Sequence, residues 1–333
     1  MNTRITIISA ILFVCLSNLL FAQAQPLPRI QVTGNIFTDD KGEPIVFRGI
    51  NTSDPYKLKQ DNQWNKRYFQ EIKNWGANAV RFPVHPENWR TMGKESYLKL
   101  LDEGVQWATE LQMYVIIDWH SIGNLKTELF FRPSYNTTIK ETLEFWQIIA
   151  KHYGKNTTVA FFELFNEPVN NGEFGSCTWA EWKAIMEETI AVIRAEEAIN
   201  IPLVGGFDWG YDLIEAGADP VDAEGIGYTS HPYPMKREKP WEDKWTQDWG
   251  FMAERYPVML TEIGFSGEEE KGAHVPVISD ESYGDAITAY CKQKGVSYIV
   301  WCFDPDWGPM LIRDWDFNTT RQGKYFKQAL SGK

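Results

Sequence analysis

From residue 45 to residue 301 the chain repeats one pattern: a short apolar, β-branched run, a polar loop, then a longer stretch with apolar positions at helical spacing. The short runs lie at 45–50, 77–82, 114–118, 159–165, 201–205, 225–229, 257–261 and 296–301, and the helical stretches include 64–75, 97–111, 142–152, 179–196 and 283–294. The runs are continuously apolar rather than alternating, so each strand is covered on both faces, the mark of a parallel sheet with crossover helices. Eight strand–helix units in about 300 residues predict a closed α/β barrel of the (β/α)8 or TIM type. An open doubly wound sheet is the rival, but no Gly-x-Gly-x-x-Gly follows the first run and no Walker A sequence occurs. Residues 32–43 read as a polar lead-in. No linker, repeat or low-complexity segment divides the chain, which predicts one domain over 25–333.

The first 24 residues stand apart. Arg4 is their only charge, an apolar run follows, and Ala22-Gln23-Ala24 has the small-x-small form of a signal-peptidase site. The run is interrupted by Ser9, Ser17 and Asn18, which disfavours an uncleaved anchor. Removal of residues 1–24 as a signal peptide leaves a chain secreted to the periplasm or the exterior, with no membrane attachment and a monomeric state expected.

Composition narrows the function. There are 45 acidic and 33 basic side chains, a formal net charge of −12, and no basic run, so a nucleic-acid partner is excluded by the lack of a phosphate-binding face. The chain carries 15 Trp, 14 Tyr and 19 Phe. This Trp count suggests flat platforms of the kind that sugar rings stack on. Three cysteines follow the leader, Cys177, Cys291 and Cys302, and the strand expected between the last two separates them too far for a disulfide. Free, partly buried thiols are expected. No metal-ligand spacing is found: Asp314-Trp315-Asp316-Phe317-Asn318 begins like a calcium loop but lacks its Gly and its final Glu. No metal and no cofactor are expected.

The polar chemistry gathers where the predicted strands end. Those ends read Val80-Arg81-Phe82, Asp118-Trp119-His120, Asn166-Glu167-Pro168, His231-Pro232-Tyr233, Thr261-Glu262-Ile263 and Val300-Trp301. Charged groups in buried strands are costly unless paired, and six polar or aromatic strand ends at one barrel mouth are hard to assign to scaffold alone. Glu167 and Glu262, on strands four and seven, would meet across the mouth. Two carboxylates about 5–5.5 Å apart suit double-displacement glycoside hydrolysis, whereas roughly 6.5–9.5 Å suits inversion. Arg81 offers a cation to hold Glu262 ionised, Asn166 a donor for a sugar 2-hydroxyl, and Trp301 an apolar face for a pyranose.

These motifs, together with Phe47-Arg48-Gly49-Ile50-Asn51 and Asn78-Ala79-Val80-Arg81, resemble glycoside hydrolase family 5 in kind and in order across almost the whole chain after the leader. The resemblance implies a retaining, cellulase-like β-glycanase with Glu167 as acid/base and Glu262 as nucleophile. It also implies that Arg81, His120, Asn166, His231, Tyr233 and Trp301 line the subsite of the attacked sugar.

A secreted endo-β-1,4-glucanase is therefore expected, its partner a β-linked polysaccharide or oligosaccharide. Loop tryptophans Trp89, Trp179, Trp209 and Trp307 are candidate platforms along the cleft, with Trp209 taken as substrate-binding. The same chemistry on β-mannan, xyloglucan or mixed-linkage glucan is the first alternative, and a non-catalytic sugar-binding barrel the second. Retention of both acids argues against the latter. The Gly-x-Ser-x-Gly elbow of serine esterases is absent.

Overall fold

The computed structural model describes residues 26–332, so the expected signal peptide lies outside the described residues. Eight strands form the barrel: β1 (Arg48–Asn51), β2 (Ala79–Val84), β3 (Tyr114–Trp119), β4 (Val159–Glu163), β5 (Ile201–Gly205), β6 (Gly227–Thr229), β7 (Val258–Ile263) and β8 (Ser297–Val300). Each pairs in parallel with its successor, and β8 pairs with β1, closing the ring. The predicted (β/α)8 barrel is the fold observed. Register sets the level of the site: Asn51, the last residue of β1, sits beside Arg81 of β2, and Asp118 of β3 beside Glu163, the last residue of β4.

Helices cover the strands because their apolar positions recur every three or four residues and their first turns are capped. In the helix Trp179–Ala195 the buried set Trp179, Trp182, Met186, Thr189, Ile190 and Ile193 marks one face, and Thr178 with Glu181 forms a reciprocal capping box at its start. Tryptophans knit helices to strands. The Trp146 Nε1–H donates to the Leu164 carbonyl and the Trp182 Nε1–H to that of Gly205, both at 3.0 Å, so each buries its apolar body and still satisfies its donor. Eleven of the fifteen tryptophans are buried. The high Trp count is thus mostly a property of the core, a correction to the expectation of surface platforms.

The segment read as a polar lead-in is also different. It contains a hairpin, Gln31–Thr33 against Ile36–Thr38, with Val32 opposite Phe37. Phe37 packs on Phe47 and Phe161 at ring distances of 5.8 and 5.0 Å, and this group joins Ile116, Leu203, Met259 and Ile299 inside the barrel. Strands of three residues, with Phe37 and Thr38 their only buried side chains, leave too little periodicity to be seen. Cys177, Cys291 and Cys302 are free, as expected, but fully rather than partly buried. Among the described residues no helix is long and apolar enough to cross a membrane.

Candidate active site

Arg81, fully buried on β2, organises the barrel mouth. Its Nε donates to Glu163 Oε2 at 2.6 Å, and its Nη1 to Asn51 Oδ1 at 2.9 Å and Glu262 Oε1 at 3.1 Å. Its Nη2 donates to Asn166 Oδ1 at 2.7 Å and lies 3.0 Å from Asp118 Oδ2. A planar fork with fixed donor directions can hold five acceptors from four strand ends in one arrangement, which a lysine cannot.

Beyond β4 the chain runs on beside the short strand Ile122–Asn124, pairing Glu167 with Ile122, and the backbone N–H of Glu167 donates to the Ser121 carbonyl at 3.1 Å. This places Glu167 next to His231, whose Nδ1 is 3.0 Å from Glu167 Oε1 and 3.9 Å from Glu262 Oε2. One carboxylate oxygen of each acid and a His231 ring nitrogen all lie within 4.8 Å of one another. Glu262 is bound on both oxygens, because the Tyr233 hydroxyl donates to Oε2 at 2.8 Å while Arg81 holds Oε1. Deeper in, His231 Nε2 meets the Thr261 hydroxyl at 2.9 Å, and that hydroxyl donates to Glu163 Oε1 at 2.7 Å.

Asp118, Glu163, Glu167 and Glu262 surround Arg81 and His231, four carboxyl groups to two cations, in a largely buried setting, so each group's proton affinity depends on the others. Burial alone would depress His231, but Glu262, Glu163 and Glu167 together raise it to about 10. His231 is therefore an imidazolium at neutral pH, with both ring nitrogens donating. Burial pushes Asp118 well above the carboxylate range despite Arg81. Burial also raises Glu262, opposed by His231, Arg81 and the Tyr233 hydroxyl. Glu163 is held below the usual range, since Arg81 and His231 outweigh its desolvation. Arg81 does lower Glu262, as the sequence suggested, and it shares its charge with Asp118 and Glu163 as well. Burial and the neighbouring His85, Arg81 and His231 push His120 well below its usual value, leaving a neutral ring 2.6 Å from Asp118 Oδ2.

The expected site residues Arg81, His120, Asn166, Glu167, His231, Tyr233, Glu262 and Trp301 all come to this mouth. Trp301 is mostly buried, with its ring nearly parallel to those of His120 (5.3 Å, 5°) and Trp307 (6.0 Å, 13°). Of the four loop tryptophans, Trp89 and Trp179 are core residues and not platforms, the first packed on Phe145 and the second donating to the Asp219 carbonyl. Trp307 and Trp209 are only half-buried. Sequence reading gave no role to Glu163, Thr261 or Tyr135, whose ring lies against those of His85 and His120 at 5.3 and 6.0 Å. A lone acid within the apolar run 159–165 was the signal for Glu163, whereas Tyr135 ends a short 3-10 turn, Pro133–Tyr135, and had none.

Two acids this close, one bound on both oxygens and the other nearer solvent, at the carboxyl face of a (β/α)8 barrel, define the class of barrels built to cleave glycosidic bonds. Residues 38–306 match the cellulase family, glycosyl hydrolase family 5, and the chain belongs to that family. A solved β-glucanase of Saccharophagus degradans, in complex with cellotetraose, is 46% identical with a TM-score of 0.91, the match covering 93% of this chain and 95% of that one. Endoglucanase A of Butyrivibrio fibrisolvens is 29% identical over 82% of this chain, and an endoglucanase of Clostridium saccharobutylicum 26% over 91%. The chain spans 59% and 65% of the length of these two relatives.

Proposed function

We propose that the chain is a secreted, retaining endo-β-1,4-glucanase that hydrolyses β-glucan by double displacement, its mature form being the single domain 25–333. The observation that carries the mechanism is the closeness of the two acids, one oxygen of Glu167 and one of Glu262 lying within 4.8 Å of each other and of a His231 ring nitrogen, which favours double displacement over the wider gap of inversion. The β-glucanase of Saccharophagus degradans, solved with cellotetraose, supports a β-linked glucose oligosaccharide as the substrate.

In this reading Glu262 attacks the anomeric carbon while Glu167 gives its proton to the departing glycosidic oxygen, so one C–O bond forms as the other breaks. Arg81 and Tyr233, one on each Glu262 oxygen, aim the nucleophile. In the second step Glu167 accepts a proton from water, the water oxygen attacks the same carbon, and the ester bond to Glu262 breaks. The product leaves as the β anomer. Asn166, His120 and Trp301 bind the attacked sugar, and Trp209 binds beyond it. The test is a panel of β-1,4-glucan, mixed-linkage glucan, xyloglucan and β-mannan, assayed for new reducing ends with the first-formed anomer read by NMR. Greatest activity on a β-1,4-glucan with the β anomer first is expected; an α anomer first would refute double displacement.

A further inference from the structure

Asp208, Trp209 and Gly210, just beyond β5, have φ of 56°, 59° and 67°. Three successive left-handed residues form a turn that L-amino acids avoid, because Cβ crowds the next carbonyl. Such a conformation persists only where its surroundings fix it, and it tends to occur at functional sites. Both ends of this turn are held by the loop after β6. At one end the His231 backbone N–H donates to the Gly210 carbonyl at 2.9 Å, and a Cβ on residue 210 would lie 3.1 Å from the Asn166 backbone carbonyl oxygen and 3.3 Å from His231 Nδ1. At the other, Lys236 Nζ donates to the Asp208 carbonyl at 2.6 Å and to Asp208 Oδ1 at 3.2 Å, with the lysine side chain only 12% exposed. Lys236 ends a short 3-10 turn, Pro234–Lys236, that directly follows Tyr233.

The turn sets the direction of Trp209. Its ring stands edge-on to Phe131 and Phe174, at 5.4 and 5.5 Å, from the loops after β3 and β4. The turn is bonded through Gly210 to His231, whose Nδ1 is 3.0 Å from Glu167, and Phe174 follows Glu167 in the loop after β4, so this aromatic group is built on the Glu167 side of the mouth, that of the acid that protonates the leaving oxygen. Resting on the glucanase reading above, we infer that Lys236 is a positioning residue: it locks the left-handed turn so that Trp209 forms a stacking platform for the leaving-group side of the glucan chain. Lys236 itself touches no substrate. It makes binding of sugars beyond the scissile bond depend on the same loop that carries His231 and Tyr233.

The test compares cellohexaose, which extends past the scissile bond, with an aryl β-cellotrioside, whose leaving group is too short to reach Trp209. Lys236→Met should raise KM for cellohexaose about 5–10-fold with kcat within about twofold, and change kcat/KM for the aryl substrate less than about twofold. Lys236→Arg, which keeps cation and donors, should restore KM to within about threefold of wild type. Because Lys236 acts through Trp209, Lys236→Met should add nothing to Trp209→Ala in the double variant. Equal loss on both substrates, full additivity with Trp209→Ala, or unaltered cellohexaose kinetics would each overturn the inference while leaving the glucanase reading intact. If Lys236→Met is too unstable to assay, Lys236→Gln takes its place with the same KM change expected. A wild-type enzyme inert on both substrates would overturn the glucanase reading and this inference with it.

Discussion

Asn166 Oδ1 accepts a 2.7 Å hydrogen bond from Arg81 Nη2, and Asn166 Nδ2 is left buried with no protein partner. Arginine can only donate, so the amide orientation is fixed and the free atom is a donor. In the proposed mechanism that donor meets the 2-hydroxyl of the attacked sugar, a contact that strengthens as positive charge develops at the anomeric carbon. Asn166→Ala should therefore lower kcat and kcat/KM together by roughly 100-fold with KM little changed. Steady-state kinetics on an aryl cellobioside checks this, and a rise in KM alone would make Asn166 a ground-state binder.

The two acids should separate cleanly by chemical rescue. Glu262→Ala removes the attacking oxygen and should cut kcat by more than about a thousandfold, with azide giving the inverted α-glycosyl azide. Glu167→Ala leaves the nucleophile in place, so an activated aryl substrate still forms the intermediate, and azide should trap it as the β-glycosyl azide. NMR of the two azides is the readout. An α product from Glu167→Ala would exchange the roles.

His231 gives the site a pH signature. It is raised from an ordinary value of 6.5 to about 10, so the stability gained from its charge is complete below about pH 6.5 and is lost as pH rises through about 10. Asp118 and Glu262, raised by burial, act in the same direction, while Glu163, held low by Arg81, opposes them at acid pH. The melting-temperature advantage of wild type over His231→Gln should shrink steadily from pH 6.5 to 10. A constant advantage would mean that the ring is neutral. The rate itself should be bell-shaped in pH, with limbs that belong to the coupled acids and His231 rather than to one residue each.

The barrel was legible because parallel strands buried on both faces leave unbroken apolar runs, and Glu167 and Glu262 were legible because each stands where such a run ends. Glu163 was not, since an acid inside an apolar run looks the same whether it is stranded or bound to a partner 82 positions away, as it is to Arg81. The tryptophans misled for a related reason. An indole that caps a strand-end carbonyl, like Trp182, and one left half-buried, like Trp209, follow the same residue preferences and differ only in what the fold lays over them. The left-handed turn at Asp208–Gly210 had one cue, its glycine, and the lysine that fixes it lies 28 positions from Asp208 in the chain.

Arg81→Lys keeps the charge and discards the fork. An ammonium with three donors cannot serve Asn51, Asp118, Glu163, Asn166 and Glu262 together, and removing one partner from a buried ionic network costs on the order of 3–5 kcal/mol when the remaining charge is left uncompensated. The lysine still supplies a positive charge, so the fold should survive with a lower melting temperature. The nucleophile would then be held by Tyr233 on one oxygen alone, and Asn166 would lose the contact that fixes its amide. Both losses act on the transition state more than on bound substrate, so kcat should fall by roughly 100-fold or more while KM changes little. Kinetics and thermal denaturation of the same preparation check the two halves together. If Arg81→Lys keeps more than about a tenth of wild-type kcat, Tyr233 orients Glu262 without help, and Arg81 is there to balance charge.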